Sequence, residues 1–165
     1  MAAEICWHFR RPWRSFGSLD TPSPVRYRDT REMPRILRAL FLLVDVGFIA
    51  YWAISALHLL PAAWAFKDYA DPTLSAWNWS FLPLDLAVSS TGLPSVMLAR
   101  RADRRWRPLA IASLSLTMAS GLQALSFWAL RGDFDWFWWI PNLFLLLYPL
   151  PFLRALTLEA REAKD

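Results

Sequence analysis

Apolar residues gather in four long runs that are separated by short polar stretches. The runs are "ALFLLVDVGFIAYWAISALHLL" (39–60), "WSFLPLDLAVSSTGLPSVML" (79–98), "PLAIASLSLTMASGLQALSFWAL" (108–130) and "WFWWIPNLFLLLYPLPFLRALTL" (136–158). Each is close to the ~20 residues that an α-helix needs to cross a bilayer. The short connections make consecutive helices antiparallel neighbours. The pattern predicts an all-α integral membrane protein, built as a four-helix bundle.

Prolines divide the fourth run. Pro141 suits the first turn of a helix, so we expect "DFDWFWWIP" to lie along the membrane interface and the helix proper to begin at Pro141. Pro149 and Pro151 remove backbone donors further along, which predicts a kink near them.

The basic residues lie almost entirely on one side of this arrangement. Sixteen of the 18 Lys and Arg residues fall in the N-terminal segment, in the loop between the second and third runs, or at the C-terminal end. Lys67 and Arg131 alone occupy the two remaining loops, 61–78 and 131–135. Cytoplasmic loops are enriched in Lys and Arg, so the distribution predicts a multi-pass protein of the bacterial plasma membrane, with both termini cytoplasmic. Seven tryptophans near the other boundary fit the headgroup region: Trp64, Trp77, Trp79, Trp128, Trp136, Trp138 and Trp139.

The chain divides into three parts. Residues 1–32 show no helical or strand period and are rich in Arg and Pro, which predicts a disordered basic extension against anionic lipid. Met33 begins "MPRILRALFLLVD", so a translation start at Met33, with the extension mis-assigned, is the alternative interpretation. Residues 33–158 form the membrane domain, and 159–165 form a cytoplasmic tail.

Composition narrows the chemistry. Hydrophobic residues make up 56% of the chain and there are 11 Trp, which is more apolar surface than a soluble domain of this size hides. Cys6 is the single cysteine, and His8 and His58 lack carboxylates at metal-ligand spacing. We therefore predict no metal, no cofactor and no nucleic-acid partner. No serine, threonine or tyrosine has a visible activating base, so no catalytic residue is assigned.

Two acids lie well inside the runs, Asp45 and Asp85, and each costs roughly 2.5–3.5 kcal/mol on insertion scales. Helical phase places Asp85 on one face of the second helix with Asn78, Ser89 and Gly92. The other helices present polar or small stripes of their own: Asp45, Trp52 and Ala56 on the first; Ser113, Thr117, Ser120, Ala124 and Phe127 on the third, with Gln123 leaning toward them; Asn142 on the fourth.

These stripes predict a polar cavity in the outer half of the bundle, formed by Asp85, Gln123 and Asn142 with Asn78 above them. Asp45 is expected to be a buried acid that sits apart, nearer Ser89, Ser90, Thr91 or Thr117. A protein of this kind would bind a small lipophilic or cationic ligand, or assist a transporter. Two alternatives stay open: a structural or assembly protein whose polar groups only join helices, and, third, an isomerase-like membrane enzyme.

Three stretches resemble the YvaD-like bacterial family of four-span membrane proteins: "DVGFIAYW", "FKDYADPTLSAWNWSFLPLDLAVSSTGL" and "GLQALSFWALRGDFDWFWWIPNLFLLLYPL". The resemblance runs from about residue 36 to 153. It implies an integral membrane protein without an assigned activity, and it carries no catalytic residues over to this chain. The layout is also similar to that of the sterol isomerase and sigma-2 receptor group, in which intramembrane acids meet a cation, although no motif is shared.

Overall fold

The computed structural model describes residues 32–59, 61 and 70–162, and their regular secondary structure is entirely helical. The helices are α1 (Arg35–Ala56), α2 (Pro72–Trp79), α3 (Leu82–Arg100), α4 (Trp106–Leu130), α5 (Trp136–Leu147) and α6 (Pro149–Glu162). They form four segments that are long and apolar enough to cross a membrane: Arg35–Ala56, Pro72–Arg100, Trp106–Leu130 and Trp136–Glu159. The all-α, four-span prediction is confirmed. We call these segments the first to fourth spans.

The second span begins earlier than the sequence predicted. Asp71 caps α2, because its carboxylate accepts hydrogen bonds from the backbone N–H groups of Thr73 (2.8 Å) and Leu74 (3.4 Å). Pro72 follows in the first helical turn, where its missing N–H costs nothing. Asn78 and its two neighbouring tryptophans are therefore helical instead of part of a loop. A turn at Ser80–Phe81 then separates α2 from α3.

Three helices end in the same way. His58 after α1, Ala102 after α3 and Gly132 after α4 each adopt a positive φ, of 52°, 54° and 68°. At each end, the residue after this position donates its N–H to a carbonyl five residues back, as Asp133 does to Trp128 (3.0 Å). This is the Schellman motif, which satisfies the last carbonyls of a helix. It makes the chain turn sharply, so the following helix returns beside the one before.

The spans pack in chain order. The first packs against the second, the second against the third, and the third against the fourth. One end of the bundle, which we call the arginine-rich end, carries residues 32–38, 100–107 and 154. There a hydrophobic core joins all four spans through Leu37, Phe41, Val96, Leu114 and Leu156. The opposite end, carrying residues 71–81 and 128–139, is the tryptophan-rich end.

The fourth span is broken at Tyr148, between α5 and α6, as the prolines predicted. Pro141 does not open the helix, however, and that prediction was wrong. Helix α5 already begins at Trp136, because Asp135 caps it by accepting a hydrogen bond from the Phe137 N–H (3.0 Å). Pro141 consequently lies inside α5. The Trp-rich segment that we expected along the interface is the first turn and a half of this helix.

Several sequence predictions fall on residues outside the described ranges. They concern nearly all of the basic extension at 1–32, Trp64 and Lys67 in the first loop, and the last residues of the C-terminal tail. Within the described part, Met33 is buried against the core at the arginine-rich end.

Candidate ligand cavity around Asp85

A cavity of about 650 Å³ lies at the tryptophan-rich end, between the first and fourth spans and in front of the second and third. Its volume falls within the roughly 300–1,000 Å³ that small-molecule sites usually have. Its lining includes Tyr51, Trp52, Trp77, Asn78, Phe81, Asp85, Ser120, Trp128, Trp136, Phe137, Ile140 and Asn142.

Asp85 is the only acidic side chain that the structure describes in the lining of this cavity, and two hydrogen bonds hold it. Its side chain is 4% exposed. Trp52 on the first span donates its indole N–H to Oδ2 (2.9 Å), and Ser120 on the third donates its hydroxyl to Oδ1 (3.0 Å). Hydrogen bonds to a carboxylate are stronger than neutral ones. Each oxygen keeps a further lone pair, so Asp85 is oriented by the protein and can still accept from a ligand.

Two amides flank the acid. The hydroxyl of Tyr51 donates to Oδ1 of Asn78 (3.1 Å), while the Asn78 Nδ2 is buried without a hydrogen-bond partner in the described residues. Asn142 also lines the cavity, and its Nδ2 donates to the Trp138 carbonyl one turn earlier (2.7 Å). The structure thus brings together three of the four predicted residues: Asp85, Asn78 and Asn142.

Gln123 does not join them, which corrects the prediction for that residue. Its side chain is exposed and lies outside the cavity lining. The face of α4 that points inward carries Ser120 and Ala124, both buried. Gln123 is next to Ala124 in sequence, so a rotation of about 100° per residue turns it away from that face. Ser120 supplies the polar contact that Gln123 was expected to make.

The walls are aromatic, whereas we expected a polar cavity. Trp77 stacks on Phe127 with ring centroids 4.0 Å apart and meets Trp128 edge-on at 5.4 Å. Phe81 contacts the same Trp77 at 4.9 Å, also edge-on. On the first span, Trp52 packs against Trp79 at 5.2 Å. Four of the tryptophans that were predicted to mark the membrane interface therefore also line a cavity with a single carboxylate: Trp77, Trp128, Trp136 and Trp138.

Part of the cavity lining is exposed. Its rim on the fourth span consists of exposed apolar residues, Trp136, Phe137 and Ile140, of which Phe137 is 77% exposed. The first and fourth spans do not pack on one another as the other neighbouring spans do.

Comparison with known proteins places the chain in a family. The model of a family of unknown function, DUF5360, matches residues 37–163. This chain belongs to that family. The uncharacterized protein YvaD of Bacillus subtilis (strain 168) is 48% identical over 131 residues, which cover 79% of this chain and 98% of the relative. The resemblance inferred from the sequence is confirmed. No solved structure matches the chain.

Sequence reasoning missed the two partners of Asp85 in this DUF5360 protein. Trp52 had been placed on the stripe of Asp45, and Ser120 on the small-residue stripe of the third helix. The available signal was that the stripes on the first and third helices each carry a hydrogen-bond donor at about the same depth as Asp85. Helical phase gives the face of each helix but not the rotation of one helix against another, so the pairing itself could not be read from the sequence.

Proposed function

We propose that this protein binds a lipophilic organic cation in the aromatic cavity, with Asp85 as the counter-charge. The observation that carries the proposal is a carboxylate, held by Trp52 and Ser120, inside a cavity whose other walls are largely aromatic. Aromatic faces attract cations as well as apolar groups. A hydrated inorganic ion would gain little binding energy from aromatic walls, and a neutral apolar molecule would gain little from the carboxylate.

The exposed apolar rim supports the class of ligand. A lipophilic cation concentrates at the membrane interface, where its charge stays near the headgroups. The exposed aromatic residues of the rim lie at the tryptophan-rich end, and tryptophan favours that depth. The ligand would therefore enter from the bilayer, and its charged centre would move inward to Asp85 as its apolar part passes between the first and fourth spans.

The arrangement in the membrane is part of the proposal. The arginine-rich end faces the cytoplasm, since it carries eight of the nine Arg side chains that the structure describes. Both termini are then cytoplasmic, and the cavity belongs to the outer half of the plasma membrane. Reporter fusions at the C-terminus and within residues 131–135 test this. Reporters on the same side of the membrane would contradict it.

A matched pair of ions tests the binding. Tetraphenylphosphonium and tetraphenylborate have nearly the same shape and opposite charge. In thermal unfolding of the purified full chain, followed by tryptophan fluorescence, the phosphonium should raise Tm because it binds the folded state. The borate should not. The cavity proposal is overturned if both ions shift Tm equally, or if neither does; the polar groups would then act only in helix packing.

Two variants assign the effect to the cavity. Asp85→Asn keeps the shape, can still accept from Trp52, and removes the charge, so it should lose the phosphonium-dependent rise in Tm. Gln123→Ala removes an exposed amide outside the lining and should keep that rise. An unchanged response of Asp85→Asn to the phosphonium would show that the ion binds elsewhere.

A further inference from the structure

The second intramembrane acid, Asp45, is enclosed without any partner for its charge. Its side chain is 0% exposed, and neither carboxylate oxygen has a hydrogen-bond partner among the described residues. It lies outside the lining of the aromatic cavity. An ionised group inside a membrane protein usually pairs with another charge or marks an ion pathway.

Gly92 makes room for this carboxylate. A Cβ atom added to Gly92 would overlap Oδ2 of Asp45 and lie 2.9 Å from the Ser113 hydroxyl. Asp45 and Ser113 thus converge on one point of the α3 backbone, from the first and third spans. The acid is packed against the second span and directed into the bundle, where three helices meet.

The hydroxyl groups around Asp45 donate their hydrogens to main-chain carbonyls. Ser113 donates to the Val88 carbonyl (3.3 Å), and Thr117 donates to the Ser113 carbonyl (2.8 Å). Ser89 donates to the main-chain carbonyl of Asp45 itself (3.1 Å). A hydroxyl has one hydrogen and two lone pairs, so these groups have acceptors left to offer and no donors.

The fourth span adds Tyr148, at the break between α5 and α6. The buried hydroxyl of Tyr148 lies beside Thr117 and within electrostatic reach of Asp45. A carboxylate without a partner and a phenol thus lie near one another in the interior.

The charged and titratable groups around Asp45 leave its charge uncompensated. The second span presents Ser89 and Gly92, with Asp85, another acid, beyond them. The third presents Ser113 and Thr117, and the fourth presents Tyr148. On its own helix the nearest basic residue, Arg38, is seven positions away, or about 10 Å along the axis.

We propose that Asp45 is the centre of a second site, which binds a small monovalent cation, either a proton or sodium, with neutral oxygens from Ser113, Thr117 and Tyr148 beside it. Hard cations prefer oxygen ligands. The described residues contain no cluster of three or more acidic, histidine or cysteine side chains, so a single carboxylate supplies a single negative charge. That suits a monovalent ion and not a divalent one. This site does not depend on the function proposed for the aromatic cavity.

Thermal unfolding at constant ionic strength tests the site and separates the two cations. The purified full chain is compared in sodium chloride and in choline chloride, from acidic to alkaline pH. If sodium binds, Tm of the wild type rises with sodium at alkaline pH, and Asp45→Asn loses the whole sodium-dependent shift. If a proton binds, sodium has no effect, Tm of the wild type falls as pH rises, and Asp45→Asn loses that fall.

Further variants keep the test informative if Asp45→Asn does not fold. Tyr148→Phe and Ser113→Ala retain the acid and remove one neutral oxygen each, so they should weaken the same cation response. Ser90→Ala removes an exposed hydroxyl and should leave it unchanged. The proposal is overturned if Asp45→Asn, or both oxygen variants, respond to sodium and pH as the wild type does. The phosphonium response at Asp85 should survive in Asp45→Asn, so failure of either site is distinguishable from failure of the other.

Discussion

Asp85 and Asp45 are buried to a similar degree on neighbouring helices, but their surroundings differ. Asp85 is held by one donor on each oxygen, from Trp52 and Ser120, and it borders a large cavity. Asp45 has neighbours that offer oxygens and no available donor except a phenol that is not bonded to it. Burial alone therefore does not define the role of an intramembrane acid. The number of donors around it indicates whether its oxygens are already satisfied or require a ligand.

The largest loss of stability is expected at Gly92, which packs closely against the Asp45 carboxylate. Gly92→Ala places a methyl group against the Asp45 carboxylate, and overpacking of this kind costs about 1–3 kcal/mol. The free energy of unfolding, measured by chemical denaturation in mild detergent, should fall accordingly. Adding Asp45→Ala should restore part of the loss, because it removes the atoms that the methyl group meets.

Gly47→Ala is the matched control. Nothing lies within 4 Å of a Cβ at this position, and Gly47 is in the same helix as Asp45. Because alanine favours a helix over glycine by roughly 0.5–1 kcal/mol, this variant should be neutral or slightly more stable. Equal losses of unfolding free energy from the two alanine variants would show that Asp45 does not require a glycine at position 92.

The second prediction concerns a variant in which Asp85 loses a hydrogen-bond donor, so that its surroundings become more like those of Asp45. Trp52→Phe keeps an aromatic ring but removes the donor to Oδ2, leaving a buried acceptor without its partner at a cost of about 1–3 kcal/mol. Trp79→Phe is the control, since it removes the same bulk from the ring that packs on Trp52. Thermal unfolding should show the larger loss for Trp52→Phe. A larger loss for Trp79→Phe would mean that packing, not the indole hydrogen bond, stabilises this region.

A third, smaller effect concerns the other oxygen. Ser120→Ala removes the hydroxyl that donates to Oδ1 of Asp85, and a typical hydrogen bond contributes about 0.5–1.5 kcal/mol. Ser126→Ala removes an exposed hydroxyl on the same helix, one that donates to the Leu122 carbonyl. Denaturation curves should separate the two variants. If they coincide, Ser120 does not hold Asp85 in the manner described.

The smallest effect is expected at an acid in water. The side chain of Arg105 donates hydrogen bonds to Asp103 at the arginine-rich end, and these hold the pKa of that carboxyl below its ordinary value. A lowered folded-state pKa stabilises the fold above the unfolded-state pKa, and this contribution is lost as pH falls through the folded-state pKa. Asp103→Asn should thus lower Tm slightly at neutral pH and not in strong acid. The measurement is the Tm difference between Asp103→Asn and the wild type, compared at neutral pH and in strong acid.

How much of this could be predicted from the sequence differs from one residue to another. The apolar runs are long enough that four spans followed from length alone, and helical phase placed Asn78, Asp85, Ser89 and Gly92 on one face, which the structure buries. Gln123 stood at the edge of its stripe, where phase cannot distinguish inward from outward. Pro141 was interpreted as a helix start because the cap made by Asp135, six residues earlier, was not considered. The weak packing between the first and fourth spans could not be predicted from helical phase.

The hydroxyl of Ser89 links the backbones at the two buried acids, Asp45 and Asp85. Its hydroxyl lies 3.1 Å from the main-chain oxygens of both Asp45 and Asp85, and it has one hydrogen to share between them. Equal distances give neither oxygen an advantage in length. A slide of the first helix along the second by a fraction of an ångström would commit that hydrogen to one of them. The backbone at one acid is therefore sensitive to the position of the helix that carries the other.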